Sequence, residues 1–118
     1  MDPQGFIALA QQLAAGNPSE AALRTAVERA YYGAFLALRD VMVVKGWVPE
    51  HRTIRDPLDL VTTLRSRPGY RFLSDLLDEL RMLRNRADYE LQRPFGLEEA
   101  RRAITLAQEL LQRLPAGR

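Results

Sequence analysis

NPSEAALRTAVERAYYGAFLALRDVMVVKG, residues 17–46, is the stretch on which the fold turns. It opens with Asn17-Pro18-Ser19-Glu20, an N-cap side chain at Asn17, a proline in the first turn and a glutamate three residues after the cap. That combination starts a helix. It closes on Gly46, the residue type that most often ends one. Between them Leu23, Val27, Ala30, Ala34, Leu38 and Val41 recur at helical spacing. The spacing predicts one helix running to Lys45, about 40 Å long at ~1.5 Å per residue. Its middle, AYYGAFLAL at 30–38, carries no charge and is apolar nearly all round. Such a helix is buried on more than one side. In a chain this small that places it at the centre of a bundle or at a dimer seam.

Working outward, the N-terminal segment 3–15 carries Phe6, Ile7, Leu9, Ala10 and Leu13 on one side and stops at Gly16. Residues 47–56 contain Pro49, show no periodicity and read as a loop. A short helix is expected over 57–66, capped by Asp56, and Pro68-Gly69 is a turn. A fourth helix spans 70–90 with Phe72, Leu73, Leu76, Leu77, Leu80, Leu83 and Ala87 inward. After a loop at 92–96 a fifth runs over 97–114, with Ala100, Ile104, Ala107, Leu110 and Leu111 inward. Residues 115–118 are a frayed tail. There is no internal repeat, linker or strand pattern. The expectation is an all-α fold, a single domain over 1–118, built as an up-and-down bundle of about five helices.

Composition excludes several chemistries. The 118 residues suit one domain, long enough to bury a core without disulfides. With no cysteine and one histidine, His51, thiolate chemistry and multi-histidine metal sites are ruled out, and no metal or cofactor is expected. The start Met1-Asp2-Pro3 has no basic n-region, and no apolar run approaches the ~20 residues of a membrane span. The expected location is cytoplasmic, without a membrane anchor. Net charge is only +2, yet sixteen of the seventeen basic residues are arginine. The planar arginine fork suits phosphate, although codon preference explains the skew equally well.

The densest polar cluster closes the fourth helix: Leu83-Arg84-Asn85-Arg86-Ala87-Asp88-Tyr89, with Arg81 a turn earlier. Four-residue spacing puts Arg84 and Asp88 on one face, and Asn85 and Tyr89 on another. Such a cluster can hold a phosphate and bring a hydroxyl beside it. Plainer readings stand alongside. Arg84–Asp88 would then be an exposed ion pair worth ~0.3–0.5 kcal/mol, Tyr89 a half-buried phenol with a wet tip, Tyr31 and Tyr32 packing residues, and Trp47 a cover for the bundle end. His51 sits in a loop. It is retained because its ordinary pKa suits general-base work.

The pattern resembles the HEPN domain family of small helical bundles. Arg84-Asn85 matches the start of that family's motif, and Tyr89 stands where its histidine would be. Ala87-Asp88-Tyr89 and the block Ala30-Tyr31-Tyr32-Gly33-Ala34-Phe35 are similar to a branch of small bacterial and archaeal HEPN-like proteins. The resemblance runs from about Pro18 to Leu114. It implies a homodimer with two motifs facing one cleft, metal-independent ribonuclease chemistry, and a toxin–antitoxin or related defence module with a nucleotidyltransferase antitoxin as partner. It also implies that Arg84 and Tyr89 occupy the catalytic positions, and that Arg84, Asn85, Asp88 and Arg81 contact nucleotide or RNA. An unperturbed phenol, with a pKa of about 10, is a weaker proton carrier than histidine. The alternative is a non-catalytic helical adaptor that dimerises and docks the nucleotidyltransferase.

Overall fold

The computed structural model describes residues 2–47 and 57–115, and they form five α-helices: α1 (Gln4–Leu13), α2 (Glu20–Val44), α3 (Pro57–Arg65), α4 (Arg71–Tyr89) and α5 (Leu97–Gln112). The Asp56 cap, the loop around Pro49, His51 and the last three residues lie outside the described residues.

The helices start and stop where local chemistry dictates, with one change. The cap of α2 is Ser19, in extended backbone, whose hydroxyl accepts from the Ala22 amide at 3.1 Å. Asn17 lies two residues ahead of the cap. Ser19 is favoured because Pro18 cannot supply a cap side chain and Ser19 stands directly before the first helical residue. At the far end Gly46 takes φ 76°, and the Gly46 and Trp47 amides donate to Val43 and Met42 at 2.9 Å each. This is the paired closure that a left-handed glycine permits.

α2 is the axis of the bundle, packed by α1, α4 and α5, while α3 lies on α4. The alternative left open for residues 30–38 resolves toward the bundle centre: Ala30, Tyr31, Gly33, Ala34, Ala37 and Leu38 are all buried within the monomer. Gly33 is required by this packing. A Cβ there would sit 2.9 Å from the Pro3 carbonyl oxygen and 3.1 Å from Phe6 Cβ, so α1 could not approach. Leu73, Leu77, Leu80, Leu83 and Ala87 of α4 and Ala100, Ile104, Ala107 and Leu110 of α5 complete the core. Phe72 is instead exposed, with the Arg113 guanidinium over its ring at 5.7 Å. Ser74 is fully buried and donates to the Val61 carbonyl at 3.1 Å, fixing α3 against α4. Among the described residues no helix is long and apolar enough to cross a membrane.

Candidate functional site

The C-terminal turns of α4 lie beside the first half of α2, and the motif is assembled between them. Its position is set by Arg24, which the sequence reading missed. Arg24 is buried, and each of its N–H groups finds an acceptor. Nε donates to Glu20 at 3.0 Å, one terminal nitrogen to the Arg86 and Ala87 carbonyls at 3.1 and 2.8 Å, and the other to Glu90 and Arg93 at 3.3 and 2.6 Å. Phe95 packs under the guanidinium at 5.1 Å. The last carbonyls of a helix have no partners of their own and carry the negative end of its dipole. A buried cation answers both, and it fixes where α4 stops.

Glu99 ties α5 to α4. One oxygen accepts from the Gly96 amide at 3.0 Å and the other from Arg86 at 3.3 Å. Arg86 is therefore a structural tie between α4 and α5. Arg81 is turned back along α4 and donates twice to Asp78, at 3.0 and 2.8 Å.

Arg84 and Asp88 do come together, in a setting unlike an exposed ion pair. Their side chains are 20% and 24% exposed, and the closest N–O distance is 3.9 Å, too long for a hydrogen bond. The Arg84 guanidinium lies over the Tyr31 ring at 5.0 Å, and Tyr31 is stacked on Phe35 at 6.1 Å. Among the described residues the buried Arg84 Nε has no hydrogen-bond partner. Beside Asp88 stands Glu28 of α2, paired with Arg29 at 2.8 Å. Burial pushes the Asp88 carboxyl above its ordinary value; the neighbouring Glu28 carboxylate and a hydrogen bond to it add to the rise, which Arg84 and Arg29 oppose. Glu28 was also missed. Its signal was being the last acidic residue before the uncharged run, which is indistinguishable in sequence from a solvated face.

The other motif residues are placed apart. Asn85 is half-buried and Tyr89 is 72% exposed. Tyr89 lies five residues beyond Arg84, about 140° around the helix, and no ring contact or hydrogen bond joins the two. Tyr32 packs edge-on against Phe6 at 5.1 Å, with Arg29 over both rings, so it is occupied in packing. His51 lies outside the described residues.

The chain was compared with known proteins. No curated protein and no solved structure shows a significant match. The family model of the HEPN domain matches residues 10–116. That match takes in α2 to α5 and every motif residue described above, and the chain belongs to the HEPN domain family.

Proposed function

We propose that the protein is a cytoplasmic, homodimeric nucleotide- or RNA-binding component of a toxin–antitoxin or related defence module, with Arg84 as the phosphate-contacting residue and Asn85, Asp88, Tyr89 and Arg81 around it. One observation carries this reading. The Arg84 charge is partly desolvated on Tyr31, with a buried Nε that has no partner among the described residues and a single carboxylate beyond hydrogen-bond reach. The Asp88 carboxyl is held above its ordinary pKa, first by burial and then by Glu28. A guanidinium so incompletely neutralised favours an incoming anion, and phosphate matches its fork.

The test is filter binding of a labelled single-stranded RNA. Arg84→Ala should weaken binding about tenfold or more, the scale of a lost hydrogen bond to a charged group. Arg84→Lys should recover only part, because lysine lacks the fork. Wild-type binding should fall with added salt. Decay of the same RNA on a gel, with a chelator present, reports any cleavage. Tyr89→His should raise it if the scaffold is otherwise competent.

A second reading, an adaptor that docks a nucleotidyltransferase, draws on Met82, Tyr89 and Leu91, large apolar side chains exposed near the end of α4. A folded Arg84→Ala that binds RNA as the wild type does would favour it.

A further inference from the structure

Cations that lie over aromatic rings in this protein mostly come with a carboxylate. Arg24 over Phe95 has Glu20, Arg29 over Phe6 and Tyr32 has Glu28, Arg84 over Tyr31 has Asp88, and Arg113 over Phe72 has Glu109. One cluster departs from this, at the opposite end of α4. Trp47 and Tyr70 meet edge to face at 4.9 Å. The Lys45 ammonium lies 5.5 Å from the Trp47 ring and 5.9 Å from the Tyr70 ring, and the Arg67 guanidinium lies 4.7 Å from the same Trp47 ring. Among the described residues no carboxylate pairs with Lys45, Arg67 or the neighbouring Arg71; the acids of adjoining turns, Asp40, Asp75 and Asp78, serve Arg39, Arg65 and Arg81. Among the described residues the buried Arg67 Nε has no hydrogen-bond partner.

Two like charges lie against one ring, no more than about a Debye length apart, so they repel each other. Ring packing alone does not require this. Elsewhere the chain provides an acid for the same kind of contact. Arginine cannot shed its proton to relieve the repulsion, and a bound anion would offset it. Cations interleaved with aromatic faces are what a single strand of nucleic acid uses, phosphates on the charges and bases on the rings.

We infer that Lys45, Trp47, Arg67 and Tyr70 form a second contact for single-stranded RNA, separate from the Arg84 motif. The inference rests on the RNA-binding reading above. Tyr70 and Arg84 are separated by about 20 Å along α4, a span within reach of the ~4–16 nucleotides that single-strand binders cover. The bound strand is thus long enough to touch both ends of α4, and the preferred ligand is an oligonucleotide rather than a mononucleotide.

Trp47 is the one tryptophan in the chain, so its fluorescence reports on this cluster alone. The full chain is titrated with oligouridine RNA, following Trp47 emission and filter binding in parallel, at several salt concentrations. The expected result is quenching of Trp47 in the wild type and in Arg84→Ala, and its loss in Lys45→Ala/Arg67→Ala. The double variant should also lower the slope of log affinity against log salt by about 1.4, two phosphates at ~0.7 each for a single strand. Circular dichroism checks that each variant is folded, and Arg67→Lys should keep most of the quench. If RNA is retained on the filter while Trp47 emission does not change and the double variant binds like the wild type, this inference fails and the Arg84 reading stands. If Trp47 is quenched and Arg84→Ala binds with undiminished affinity, the Arg84 reading fails and this one stands. Absence of any RNA binding overturns both.

Discussion

Arg24 shows what was not legible at the end of the motif helix: the spacing placed that end within a residue, but not the cation that anchors it. Glu20 and Arg24 are four apart on α2 and read as a surface ion pair. What buries the guanidinium is the chain from Arg86 to Phe95, more than sixty residues away, wrapping over it. No local period records that. Arg24→Met should leave the carbonyls of Ala87 and Arg93 without their donor, while those of Arg86 and Glu90 keep the backbone amides of Glu90 and Arg93, a loss of about 3 kcal/mol. Arg24→Lys should recover little, since three donors on a flexible stem cannot serve five acceptors. Urea midpoints of the three proteins measure this, and a wild-type midpoint for the lysine variant would mean the fork is unused. Asp88 is the second residue whose behaviour depends on a distant partner. Its raised folded-state pKa follows first from burial, then from Glu28. The neutral form is favoured by folding, so the stability it contributes is fully present below the ordinary 3.8 and is lost as pH rises through the folded value. Asp88→Asn removes that dependence. Its stability relative to wild type should therefore increase between pH ~4 and ~7, read from urea midpoints at both. A wild type that gains on the asparagine variant across that range would contradict the sign.

At the scale of the helix, most of the fold was legible because each element carries its own punctuation. Gly46 ends α2 through a left-handed turn, and the apolar spacing of α4 and α5 finds the core. What failed were choices between adjacent residues of equal chemistry. Asn17 and Ser19 are both cap formers flanking Pro18, and only the extended backbone at Ser19, with its bond to Ala22, decides between them. Ser19→Ala should accordingly cost about 1 kcal/mol, while Asn17→Ala should leave the urea midpoint unchanged. The reverse order would restore Asn17 as the cap. Phe72 illustrates the other limit. Its spacing matched the inward stripe, but it stands at the first turn of α4, where the bundle has little to cover it, and Arg113 shields the ring instead. The motif was partly legible for the same reason. The four-residue spacing correctly brought Arg84 and Asp88 onto one face, whereas their burial on Tyr31 and the opposition of Glu28 belong to α2.

For the whole molecule the open term is assembly. The uncharged run at 30–38 first suggested a seam, but α1, α4 and α5 cover most of it within one chain. Of the large apolar side chains left exposed, three are on the C-terminal half of α4 and just beyond it. Met82 and Tyr89 are 56% and 72% exposed, two turns apart on one face, and Leu91 follows at 64%. Two large apolar groups on one helix face, with a third two residues beyond, are more than the scattered singles a monomer ordinarily shows. Asn85 is on the same face as Tyr89, one turn away, so pairing of two copies here sets Asn85 and Tyr89 of each at a common boundary. The proposed homodimer should appear by sedimentation equilibrium at micromolar concentration as twice the 13.4 kDa chain mass. Met82→Glu with Leu91→Glu puts carboxylates into that seam and should return the mass to a single chain, with the helical circular dichroism of the wild type preserved. Neither substitution touches Arg84 or Trp47, so the variant also separates assembly from RNA contact. A wild type that sediments as a clean monomer would remove the dimer, and with it the shared cleft. A dimer that survives both substitutions would move the seam to another face, with the groove of Tyr31, Phe35 and Glu28 the next to examine.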